Sequence, residues 1–162
     1  MLIKTKLSEK DFINANLTML YSKPFLRFAT GLVLASCVLF FVCSFFIPSV
    51  SIRSAILPIL AISALPLATY FSAKKIFKKS TTLGENINYE FDTEAIKIQG
   101  ETFNGQLAWN KVYKVTKTKN WLLIWQNNQQ ASPIPRRNVR DLDIPRIAEI
   151  LDKKGVKNNL TK

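Results

Sequence analysis

Between Phe28 and Ile52 the chain reads FATGLVLASCVLFFVCSFFIPSVSI, twenty-five residues without a charge. About 20 apolar residues in a helix cross the hydrocarbon core of a bilayer, so a span is expected over residues 28–47. Pro48, Ser49 and Ser51 mark its exit, and Arg53 is the one charge before a second run, SAILPILAISALPLATYFSA, from Ser54 to Ala73. That run predicts a second span over residues 54–73. Pro58 and Pro66 would be costly in a water-soluble helix, but helices in a bilayer tolerate and kink at them. So short a connector makes the two helices antiparallel, a transmembrane hairpin within 24–79. The competing fold, a hairpin buried in a soluble protein, is disfavoured because the remaining chain is too small to wrap it.

Charge sorts around this hairpin. The net charge of +12 is spread as +3 over residues 1–27, +5 over 28–79 and +4 over 80–162, where thirteen basic groups face nine acidic ones. The excess is densest beside the apolar runs, which points to anionic lipid rather than to nucleic acid. Lys23 and Arg27 precede the first span, Lys74, Lys75, Lys78 and Lys79 follow the second, and the connector holds only Arg53. By the positive-inside rule both termini face the cytoplasm and the Pro48–Arg53 turn faces the other side. The four lysines are therefore topology and anionic-lipid contacts; each gains about 1 kcal/mol near anionic lipid.

A cleaved signal peptide does not fit, because the apolar core is too long and 27 residues precede it. LASC, Leu34 to Cys37, has the look of a lipoprotein attachment box, but its cysteine sits mid-span. Cys37 and Cys43 are the only cysteines and face different sides of one helix, as apolar fillers do. The chain has no histidine and no CxxC pair, which removes the usual zinc frameworks.

Both flanks of the hairpin read as parts of one folded domain. In LIKTKL, Ile3, Thr5 and Leu7 alternate with Lys4 and Lys6, a strand period; Ser8 with Asp11 then reads as a capping box opening a short helix. Residues 1–23 are thus a strand and an amphipathic helix that pack on the C-terminal domain. Over residues 80–162 the pattern turns to β. INYEFD and AIKIQG alternate, FNGQLAW predicts a turn at Asn104-Gly105 and a strand to Trp109, and KVYKVTKT and NWLLIWQ part at Lys119-Asn120. QASPIP is confined to an edge by Pro133 and Pro135. LIKTKL supplies a seventh strand. A helix then ends the chain, with Asp143 as its N-cap, Lys153 and Lys154 in its last turn, Gly155 after it, and Ile144, Ile147, Ile150 and Leu151 as its buried stripe.

The phrases YEFDTEAIKIQG, a tryptophan (Trp109) followed by Val112, the aromatic-rich strand after it, and IPRR (Ile134–Arg137) ahead of the final helix resemble the YcxB-like family of bacterial membrane proteins. The resemblance implies an α+β membrane protein: two transmembrane helices and a cytoplasmic, pleckstrin-homology-like (PH-like) antiparallel β-barrel or sandwich over 80–162, capped by the C-terminal helix. It places the protein in the bacterial inner membrane as a multi-pass protein.

No positioned nucleophile, base or metal set emerges, so an enzyme is not expected and no cofactor is implied. Glu90, Asp92 and Glu94 alternate along a strand and its turn as solvated groups do. Arg136, Arg137 and Arg140 are the candidate phosphate or partner contacts, in a loop next to a helix start; the competing reading pairs them with Asp141 or Asp143. Trp109, Trp121 and Trp125 are read as a domain-core signature, with Trp121 and Trp125 on the Leu123 face of their strand. The expected function is a non-enzymatic membrane protein that presents its PH-like domain to a protein or to lipid. The expected partners are membrane lipids and a protein, with no nucleic acid. The alternative is a membrane immunity protein that neutralises a membrane-acting toxin.

Overall fold

The structure is a computed structural model, and it describes residues 1–46 and 56–160. The expected turn at Pro48–Arg53 lies outside the described residues. The chain divides into two units, one built from Met1–Ala15 and Ile76–Lys162 and the other from Asn16–Lys75.

Among the described residues the first unit holds eight strands. β1 (Leu2–Lys6) pairs antiparallel with β2 (Asn86–Phe91), β2 with β3 (Ala95–Gln99), and β3 with β4 (Asn104–Ala108). The second sheet runs β7 (Ala131–Pro135), β6 (Trp121–Trp125), β5 (Lys114–Lys117), β8 (Lys157–Asn158). The alternation of LIKTKL emerges in β1: Ile3 and Thr5 are buried while Leu2, Lys4 and Lys6 are exposed. β7 is an edge strand, as its prolines require, since a ring nitrogen donates nothing to a ladder.

The sheets do not close into the barrel that was one of the two expected forms: each keeps four strands and no ladder joins them among the described residues. A 3-10 turn at Trp109–Lys111 breaks the chain between β4 and β5, and Pro133 and Pro135 deny β7 the donors it would need to pair onward. One apolar cluster nonetheless draws on both sheets, with Ile3, Tyr89, Phe91 and Ile96 from the first and Val115, Leu122, Ile124 and Ile134 from the second.

Three further readings are corrected. The turn between β3 and β4 lies at Gly100–Phe103, not at Asn104-Gly105, which sit in the ladder opposite Gln99 and Ile98. The Glu85 carboxylate holds that turn, accepting the N–H groups of Glu101 (2.7 Å) and Thr102 (2.9 Å) and the Thr102 hydroxyl. A Cβ at Gly100 would come within 2.3 Å of the Phe103 ring, so any larger residue there must displace that ring. Asp143 is the first residue of the C-terminal helix α4 (Asp143–Lys153), and Leu142 takes the cap position; the Asp143 carboxylate is turned to Arg140 instead of the helix N–H groups. α4 does not end the fold either. Gly155, at φ 68°, reverses the chain, the Val156 N–H returns to the Leu151 carbonyl (2.9 Å), and β8 then runs parallel to β5. An all-antiparallel domain therefore needs this one parallel pair added. Trp109, Trp121 and Trp125 are all buried; alternation along β6 sends Leu122 and Ile124 to the apolar cluster that holds Trp109, and the two other tryptophans, with Leu123, to the opposite, equally buried face.

α1 (Glu9–Tyr21) starts on the expected capping box. The Ser8 N–H and hydroxyl donate to Asp11 Oδ2 (3.1 and 2.8 Å), and the Asp11 N–H donates back to Ser8 Oγ (3.1 Å). The second unit is dominated by α2 (Pro24–Phe46) and α3 (Ile56–Lys79), with Pro66 inside α3. Segments Pro24–Ser44 and Pro58–Lys79 are long and apolar enough to cross a membrane. Their window residues are almost wholly unburied, unlike the core helix of a soluble protein. The serine and threonine hydroxyls along them turn back to helix carbonyls, Thr30 to Leu26 (2.7 Å) and Thr69 to Leu65 (2.9 Å), so these polar groups need no water.

Candidate functional site

Sequence places Arg136 and Arg137 directly after a proline that ends β7, and the chain responds with a 3-10 turn at Arg136–Asn138. Each of the three candidate arginines meets a different carboxylate. Arg136 donates to Asp141 and to the Val139 carbonyl. Arg140 donates to both oxygens of Asp143, at 2.9 and 3.2 Å. Those two pairs follow the reading in which the arginines answer Asp141 and Asp143.

Arg137 does something else. Its two terminal nitrogens hold both carboxylate oxygens of Asp11, at 3.0 and 2.7 Å, across 126 residues of chain. Bidentate geometry of this kind is the strong form of a charge-assisted pair. The Arg137 hydrogen bond, joined by those from Ser8, holds the Asp11 carboxyl at about 2, below its ordinary 3.8. Asp11 thus serves as helix cap and as an arginine clamp at once. Next to the clamp, Asn138 donates its amide to the Lys4 carbonyl (3.1 Å), which satisfies part of the open edge of β1.

Around this clamp lies a cavity of about 370 Å³, lined by Asp11, Asn14, Lys119, Asn120, Trp121, Arg136 and Arg137. The structure therefore brings Arg136 and Arg137 together and leaves Arg140 out. It adds the β5–β6 turn, where Lys119 is exposed and makes no ion pair among the described residues. Of the tryptophans, Trp109 donates its indole N–H to the Asp92 carbonyl (3.1 Å) and Trp125 to Thr116 Oγ1 (2.8 Å). The Trp121 main-chain N–H donates to Thr118 Oγ1 (3.1 Å), and Trp121 lines the cavity although only 4 % of it is exposed.

Lys74, Lys75, Lys78 and Lys79 occupy the C-terminal end of α3, where cations complement the helix dipole. Lys74 is half-buried with its Nζ 6.0 Å from the Tyr70 ring centroid, and the other three are exposed. They are not part of the cavity. Among the described residues no three His, Cys, Asp or Glu side chains gather as a metal site.

Sequence reading overlooked Asp11 and Lys119 as members of the site. Asp11 announced itself only as a cap, and Lys119 only as a turn residue; neither carries a local mark of its distant neighbour. No curated protein and no solved structure matches the chain. Residues 91–151, which hold all three tryptophans, Lys119 and the three arginines, match the family model described as YcxB-like protein, and over that segment the chain is similar to that family.

Proposed function

We propose that this chain is a non-enzymatic, multi-pass protein of the bacterial inner membrane, with both termini in the cytoplasm, presenting a PH-like domain that binds a protein or lipid. The observation that carries the reading is the pairing of β1 with β2, Leu2 opposite Glu90 through Lys6 opposite Asn86. These strands lie on either side of both apolar helices in sequence. A chain whose two flanks form one ladder leaves and returns on the same side of any membrane it crosses, so the apolar helices cross it an even number of times.

The unburied apolar side chains of α2 and α3 support insertion, because lipid is the solvent that makes such exposure favourable. The lysines at the end of α3 support a cytoplasmic end, against a connector whose sequence holds only Arg53. The antiparallel strands followed by α4 support the PH-like reading.

Single cysteines at Ser51 and at Lys162, in a chain with Cys37 and Cys43 replaced by serine, test the topology. A membrane-impermeant maleimide on intact cells should label position 51 and leave 162 unlabelled until the cells are opened. Labelling at 162 on intact cells, or at neither position after opening, overturns the reading.

A further inference from the structure

We propose that β4 pairs antiparallel with β4 of a second copy of this chain, joining the two β1–β4 sheets into one through a two-fold axis at Gln106. The pairing goes beyond the binding proposed above and holds whichever side of a membrane carries the domain.

Among the described residues the sheets have four outer edges, β1 and β4 in one and β7 and β8 in the other. Open edges invite further strands, and natural sheets blunt them with lysine, proline, bulges or very short strands. Three of the edges are blunted. β1 carries exposed Lys4 and Lys6, and Asn138 caps its Lys4 carbonyl (3.1 Å). β7 holds Pro133 and Pro135, and β8 is two residues long. β4 has none of these devices: Asn104-Gly105-Gln106-Leu107-Ala108 is uncharged, free of proline, and pairs residue for residue with β3.

The register fixes which backbone groups lie open. The Gly100 N–H donates to the Phe103 carbonyl (2.8 Å) across the β3–β4 turn. Antiparallel alternation then turns Gly105 and Leu107 toward Ile98 and Ile96, and leaves Asn104, Gln106 and Ala108 with N–H and C=O facing outward. That set maps onto itself about Gln106. Gln106 meets its own counterpart, Asn104 meets Ala108 of the second copy, and each such pair exchanges both its N–H···O bonds.

The side chains favour a second copy over an unrelated strand. Leu107 falls opposite Gly105 of the other copy, where only the Ile98 carbonyl lies near the Cβ position, at 3.9 Å. In the same register, exposed Glu101 approaches exposed Lys111 of the other copy at both ends of the pair. Neither forms an ion pair in its own chain among the described residues. The nearest cation on β3, Lys97, is held by Asp92 (2.9 Å) and Glu90 (3.9 Å). Its counterpart lies three strand spacings away, about 14 Å, beyond a screening length of about 8 Å.

Full-length chains with Cys37 and Cys43 replaced by serine carry single cysteines and are oxidised with copper phenanthroline in native membranes. Gln106→Cys should form a disulfide-linked dimer, because its Cα lies about 5.5 Å from its counterpart, within the range a disulfide spans. Lys97→Cys should not. Asn104→Cys and Ala108→Cys should each link weakly alone and strongly when the two chains are co-expressed. Lys111→Glu in the Gln106→Cys chain should lower the yield about threefold, and adding Glu101→Lys should restore it.

In detergent, energy transfer between donor- and acceptor-labelled copies reads the association itself. Gln106→Pro removes the central N–H at an edge position that tolerates proline, and should weaken association about tenfold. Gln106→Ala keeps that N–H and should stay within about threefold of wild type. Gln106→Cys linking no faster than Lys97→Cys, no gain on co-expression, no restoration by Glu101→Lys, or equal association in the proline and alanine variants overturns the proposal. Gln106→Cys linking to a different protein in preference to itself also overturns it, and assigns the edge to a foreign strand.

Discussion

In α2, Val38, Phe41 and Val42 are 64 %, 56 % and 46 % exposed, whereas in β6 Leu122, Leu123 and Ile124 show no exposed surface at all. The same kinds of side chain point outward in one unit and inward in the other. The backbone explains how both arrangements are possible. A helix pairs its own N–H and C=O groups, so it can offer a fully apolar exterior, while a strand must find its partners in a neighbouring strand and gathers its side chains between layers. The comparison teaches that apolar content alone does not locate a core. What locates it is whether the backbone of the segment is already satisfied, and which solvent the exterior then meets.

The largest test of this contrast strikes the inward-facing unit. Trp109→Ala removes a ring that packs 6.3 Å from Phe91 and an N–H bonded to the Asp92 carbonyl, and should cost about 3–5 kcal/mol. Urea unfolding in detergent, followed by the remaining tryptophans, measures it; a loss below about 1 kcal/mol would mean that the cluster is not the stabilising centre.

Next comes the outward-facing unit. Val38→Arg changes a mostly exposed site, where a water-soluble surface would register roughly 0.5 kcal/mol or less. In a membrane span the cost is about 2.5–3.5 kcal/mol, read as a fall in the fraction of chain recovered in carbonate-washed membranes. Unchanged recovery would remove the difference between the two units.

A smaller effect belongs to the clamp that joins α1 to the turn after β7. Because the Asp11 carboxyl is held at about 2 in the folded chain and ionises near 3.8 when free, its stabilisation is present above about pH 4. It is lost as pH falls from there toward 2. Arg137 is 62 % exposed in its side chain, so solvent screening leaves an expected contribution of about 1 kcal/mol. Melting the wild type and Asp11→Asn side by side should show the gap closing across that window. A constant gap would assign the Asp11 effect to helix capping.

The smallest change should be a gain. The Thr5 hydroxyl is buried without a hydrogen-bond partner among the described residues, so Thr5→Val removes an unmet polar group at nearly constant volume. An increase of about 1 kcal/mol is expected, seen as a higher urea midpoint. A decrease would show that Thr5 holds an acceptor or a water.

Periodicity carried much of this architecture in plain view. The charge-free runs announced two long apolar helices, the alternation in LIKTKL announced β1, and Ser8 with Asp11 announced the start of α1. The prolines of SPIP announced an edge strand, and the Ile and Leu spacing announced the buried stripe of α4. Each of these is set within a few residues, by backbone sterics and the spacing of apolar side chains, so neighbours in sequence suffice.

The tertiary structure decided which groups meet. Asn104-Gly105 is a strong local turn signal, yet Glu85, fifteen residues or more away, fixes the turn at Gly100–Phe103 by binding its N–H groups. Asp143 reads as a cap until Arg140 takes its carboxylate. The parallel β8 forms only because Gly155 turns the chain back beside β5. Arg137 had two acidic neighbours in sequence and paired with Asp11 across 126 residues. A charge or a donor chooses its partner by distance through space, and that distance exists only after strands and helices far apart in the chain have packed.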